Sequence, residues 1–138
     1  MIIGYEREYV EITEQERVPD TLPTPGDVRV EVTVRLDEFG GRYARVWLAK
    51  PDLERFIGDL EAVLSSYAGQ ACLEAMSPDE FSLQVEPSDL RGHFIVYVRL
   101  VRPKYIGEKH CTRSVEGEFE VEFGQLVSIL SGFKGFVN

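Results

Sequence analysis

Strict two-residue alternation constrains the fold of this chain more than any other feature. In "VRVEVTVRL", Val28, Val30, Val32, Val34 and Leu36 alternate with Arg29, Glu31, Thr33 and Arg35. In "SVEGEFEVEFG", Glu116, Glu118, Glu120 and Glu122 alternate with Gly117, Phe119, Val121 and Phe123. Successive side chains of a strand point to opposite faces, so each segment reads as a half-buried strand with one apolar and one polar side. The same pattern places Ala44, Val46 and Leu48 opposite Tyr43, Arg45 and Trp47. It puts Phe94, Val96, Val98 and Leu100 on a core face, and His93, Ile95, Tyr97, Arg99 and Val101 on the other. "FSLQV" is a further strand. "QACLEAM" is a short apolar one, which reads Cys72 as a buried small hydrophobe.

The connections follow from turn chemistry. "DEFGG", with Gly40 and Gly41, is a turn that joins two strands as a hairpin. "PDTLPTPGD" is a loop, and the partial alternation of Ile3, Tyr5, Tyr9 and Ile12 before it predicts a strand. "RPKYIGEKHCTRS" reads as a polar, basic connection with Cys111 exposed in it. One segment changes period. In "KPDLERFIGDLEAVLSSYAGQ", Leu53, Phe56, Ile57, Leu60, Leu64 and Tyr67 recur at three- and four-residue steps, which is one stripe of a helix. Pro51 suits its first turn, Gly69 its stop, and Gly58 leaves room for close packing on the sheet. "GQLVSILSGFKGF" predicts a short C-terminal helix ended by its "GFKGF" glycines. The expected class is α+β: an antiparallel or mixed sheet, with a long central helix and a short C-terminal helix on one face. At 138 residues, residues 1–138 form a single domain large enough for a real core.

Composition narrows the function. The formal net charge is -9, from 24 acidic and 15 basic residues. That argues against a general nucleic-acid binder and against an anionic membrane surface, both of which call for cationic protein surface. It favours fast association with a cationic protein. No apolar run approaches a membrane span and the N-terminus lacks signal-peptide features, so a cytoplasmic location is expected. Cys72 and Cys111 have no zinc or redox spacing, and whether they lie close together is left open. No nucleotide-binding glycine motif is present, and no cofactor is expected. A row of glutamates along a flat strand does not converge on one ion, so no metal is expected either.

The candidate sites are two. Glu116, Glu118, Glu120 and Glu122, with Trp47 and Tyr97 as aromatic anchors, form a candidate partner-binding face. The plain alternative is a solvated sheet face, partly neutralised by Arg29, Arg35, Arg45 or Arg99 on neighbouring strands. His93, Tyr97 and Arg99 on one strand form a candidate ligand or acid–base site. For His93 alone, the plain reading is a strand-end side chain bonded to backbone or a carboxylate.

The order of these features carries a resemblance. The "GG" hairpin, "KPDLERFIGDLEAVL", "GQACLEA", "FSLQVEPSDLRGHFIVYVRL" and "FEVEFGQLVSIL" together resemble the small WapI-type immunity proteins and related uncharacterised families of bacterial polymorphic-toxin systems. The matching features span about Val28 to Leu130. The resemblance implies a non-enzymatic cytoplasmic protein that binds and blocks a cognate toxin domain, often a nuclease. It transfers no residue roles. Two other readings stay open: a small-ligand domain or enzyme on the outer face of residues 93–101, and a structural module that forms homo-oligomers through edge strands.

Overall fold

A computed structural model describes all residues 1–138. The chain runs β1 (Ile2–Tyr5), β2 (Glu8–Arg17), β3 (Val28–Leu36), β4 (Phe39–Leu48), α1 (Lys50–Ser66), β5 (Ala71–Glu74), β6 (Phe81–Pro87), β7 (His93–Ile106), β8 (Lys109–Glu122) and α2 (Phe123–Val137). It is an α+β fold. The strands do not form one sheet. They form two, β1-β2-β3-β4 and β5-β6-β7-β8, each an antiparallel meander in sequence order and each followed by a helix. Alternation reveals that each strand has two faces, but not which sheet it joins.

The apolar faces of both sheets and both helices meet in one cluster of 31 buried residues. Val28, Val30, Val32 and Val34 of β3 are buried, as are Phe94, Val96, Val98 and Leu100 of β7. The edge strand β4 runs across the second sheet. A Cβ at Gly41 would lie 3.1 Å from Val115 Cγ1 on β8, and the Trp47 carbonyl accepts the Met76 N–H just beyond β5. The helices pack on each other through Phe56 and Phe133, whose ring centres are 4.9 Å apart at an interplanar angle of 68°. α1 also lies beside β5, and α2 beside β1 and β8. No helix is long and apolar enough to cross a membrane.

Several local expectations are corrected. Gly40 and Gly41 belong to β4; the two-residue turn is Asp37–Glu38, with Asp37 at φ 57. The glycine at 41 admits the crossing β8, so packing rather than turn geometry requires it. The polar segment 102–113 is not a loop. It extends β7 and β8 into a long hairpin closed at Gly107–Glu108, with Gly107 at φ 63 in the first turn position. Cys111 is therefore on β8 and partly buried. Cys72 is exposed, because Ala71 and Leu73 take the inner face of β5. Both cysteines are free, on opposite edge strands. The N-terminal segment makes two strands rather than one.

The helices also differ from expectation. α1 ends at Tyr67, which adopts the left-handed conformation at φ 53. Gly58 is exposed with nothing near its absent Cβ, so it serves no close packing. α2 is 15 residues, almost the length of α1. Gly132 and Gly135 lie inside it, and Gly132 leaves space for the Met1 side chain.

Gly4 lies where the first sheet packs against β8. Its φ of 114 is closed to other residues, and a Cβ there would collide with the Glu8 carbonyl and approach Phe119 Cε2 of β8 to 2.9 Å. Gly4→Ala is expected to destabilise the fold by about 2–4 kcal/mol. An unchanged urea midpoint would refute that account.

Candidate functional site

The outer face of the second sheet is set by register. Reading across from β5 to β8, one row is Glu74, Ser82, Arg99 and Glu116, and the next is Cys72, Gln84, Tyr97 and Glu118. A third is Glu86, Ile95 and Glu120, and a fourth is His93 and Glu122. Six carboxylates thus share one face with a single arginine. The four glutamates of β8 are exposed, on an edge strand, with same-face neighbours roughly 7 Å apart along the chain.

Neutralisation of this face is slight. Arg99 Nε lies 3.4 Å from Glu116 Oε2, both side chains being largely exposed. Such a pair contributes little to stability. Arg29 and Arg42 pair instead with Glu16 and Glu31 in the first sheet. Glu118 faces Tyr97 and Glu120 faces Ile95, with no cation opposite. The face is therefore wet, as the plain reading expects, and also net acidic.

Tyr97, half-buried, sits at the middle of it. The adjacent Glu86 carboxylate, together with partial desolvation, raises its hydroxyl pKa above the ordinary value. Tyr97, Arg99, Cys72, Gln84, Glu116 and Glu118 line an open groove of about 530 Å³. This groove is built from β5–β8 alone. Trp47 is on β4 in the other sheet, so the structure does not place the two aromatic anchors on one face. The Cys72 thiol in the groove has a raised pKa, from desolvation first and the nearby Glu74 second, which disfavours the nucleophilic thiolate.

His93 is held at the strand end. Its Nδ1 is 2.7 Å from Asp89 Oδ2, while Asp89 Oδ1 accepts the backbone N–H groups of Arg91 and His93. It does not line the groove of Tyr97 and Arg99. The hydrogen bond to Asp89 raises the His93 pKa above 6.5, helped by the charges of Asp89, Glu120 and Glu122. The Arg91 N–H, then the His93 contact, lowers that of Asp89. The imidazolium contribution is thus complete below pH 6.5 and disappears as pH rises through the raised value. The carboxylate contribution is present above the ordinary aspartate range and disappears as pH falls through the lowered one. An NMR titration is expected to place His93 above 6.5, and Asp89→Asn to return it toward that value. An unaltered midpoint in the variant would remove Asp89 as the cause.

Sequence reasoning did not anticipate the contribution of Glu74 and Glu86 to the acidic face. Both are at alternating positions of their strands, but only the pairing of β5 and β6 with β7 aligns them with the β8 row. The basic segment beyond Val101 has the composition of a connection, yet it forms a hairpin arm.

No family model, curated protein or solved structure matches this chain.

Proposed function

We propose that this chain is a non-enzymatic protein-binding domain that docks a cationic partner on the outer face of β5–β8, as an immunity-type inhibitor of a toxin domain would. The observation that carries this reading is the charge of that face: six carboxylates, four of them in the unbroken row Glu116, Glu118, Glu120 and Glu122, against one arginine. A nuclease-type toxin holds phosphates on cationic surface. An acidic sheet covers such a surface and gains association rate from it. Tyr97 supplies an aromatic contact at the centre of the face, where hot spots concentrate.

The experiment is capture from a lysate of the native host under conditions that express the partner, washed at low and high salt. The expected result is one basic, nuclease-like protein that is held more weakly at high salt and poorly recovered by a Glu118→Lys, Glu120→Lys bait. Recovery of nothing specific by folded wild-type bait would overturn the reading. A small-ligand function is the second reading, favoured by the groove that Tyr97 and Arg99 share.

A further inference from the structure

The β7–β8 hairpin changes chemistry where it runs past the first sheet. On its inner face, Phe94, Val96, Val98 and Leu100 give way to Arg102 and Lys104, and Val121, Phe119 and Val115 give way to Arg113. Residues 102–113 hold four lysines and arginines and one glutamate, in a chain of net charge -9. Arg102 and Arg113 are direct cross-strand partners. Like charges so placed oppose the pairing. Neither forms an ion pair; nor does Arg45 nearby, and Arg42 alone is matched, by Glu31 at 2.9 Å.

These arginines surround two adjoining hollows at the rim where the sheets meet. One, of about 200 Å³, is lined by Gly40, Gly41, Arg42, Tyr43, Arg102, Arg113 and neighbouring β7–β8 residues. The other, of about 320 Å³, is lined by Arg42, Tyr43, Ala44, Arg45 and Arg102. Gly40 and Gly41 keep the β4 wall free of side chains there. Ser114 adds a hydroxyl to the first hollow.

We propose that this cleft binds a small ligand carrying a diphosphate group, one phosphate between Arg102 and Arg113 and the other toward Arg42 and Arg45. Guanidinium groups match phosphate oxygens in fork geometry, and an anion between Arg102 and Arg113 turns a repulsive cross-strand pair into two attractive ones. The first hollow is below the usual size of a drug-like pocket, which suits a phosphate rather than a whole organic ligand. The site lies on the inner side of the hairpin and is separate from the acidic outer face.

The test is calorimetric titration of the whole protein with pyrophosphate at low ionic strength, alongside inorganic phosphate and a nucleoside diphosphate. Pyrophosphate is expected to bind more tightly than phosphate. Arg102→Gln and Arg113→Gln are each expected to weaken it by about tenfold. Lys109→Gln, at the hairpin tip, removes the same charge away from the cleft and should leave affinity within about twofold. Arg113→Glu should abolish binding yet raise the melting temperature of the ligand-free protein, because the cross-strand repulsion becomes an ion pair. That second readout remains valid whatever the ligand. A nucleoside diphosphate that binds more tightly than pyrophosphate identifies a nucleotide source with its base near Tyr43; equal affinities identify the phosphates alone. Absence of pyrophosphate binding, or equal loss in Lys109→Gln, would overturn the proposal.

Discussion

Lysine at both Glu118 and Glu120 is expected to slow association with a cationic partner of the kind proposed by tenfold or more at low salt, with a much smaller change in dissociation. Long-range steering depends on the sign and density of charge on the approaching face, and its range is on the order of 10–10³ in rate. The double change moves that face by four charges. It does so at exposed positions opposite Tyr97 and Ile95, where no ion pair is broken and no core contact is lost. Stopped-flow rates against ionic strength check it. The wild-type and variant rates should converge near 1 M salt, where the screening length is about 3 Å. Equal rates at low salt would remove the glutamate row from the encounter. The phosphate cleft offers an internal control, because pyrophosphate binding there should survive the Glu118 and Glu120 changes.

Phe133→Ala is expected to destabilise the protein by about 3–5 kcal/mol. Phe133 is fully buried on α2, with its ring 4.9 Å from Phe56 of α1 and 6.0 Å from Phe136. Those contacts join the helix that follows the first sheet to the helix that follows the second. A domain of this size is commonly stable by only 5–15 kcal/mol, so one such cavity consumes a large part of the margin. Urea unfolding followed by tryptophan fluorescence, from Trp47 in the first sheet, and by circular dichroism measures it. Because one core spans both sheets, the two signals should coincide in the variant as in the wild type. A loss below 1 kcal/mol, or two separate transitions, would show that the helix pair does not bind the halves together.

A feature of this fold is legible in the sequence when it is determined over a short stretch of chain. Val28–Leu36, the Phe81–Val85 part of β6, the inner face of β7 and the stripe of α1 are legible, because a two- or 3.6-residue period is local and burial simply selects one side of it. The glutamate row was legible as one face of a strand for the same reason. The turn after β3 falls at Asp37–Glu38 and not at the glycines: Gly41 is needed where β4 passes β8, and Gly40 lies against the Val34 carbonyl of β3. Cys72 is exposed although the run "ACLEAM" is apolar overall, because its alternation with Ala71 and Leu73 turns the thiol outward. The arm at 102–113 has the look of a connection in the sequence because its strand pattern has charges where a core face would have hydrophobes. Arg102 and Arg113 meet β4 at the rim, and the rest of the arm is exposed or only partly covered, with no core to join.

The linear order of residues is enough for the α+β class, the paired faces of the principal strands, the amphipathic first helix and the net negative charge. These depend on side-chain periodicity and composition, which need no partner segment to be defined. Only in the folded molecule do the strands divide into two meanders, Glu74 and Glu86 align with the β8 glutamates, Trp47 and Tyr97 fall on different sheets, and Arg42, Arg45, Arg102 and Arg113 line two adjoining hollows. Each of these is a pairing between residues far apart in the chain. It is set by which apolar faces bury one another, and that choice becomes definite only when the whole core is assembled.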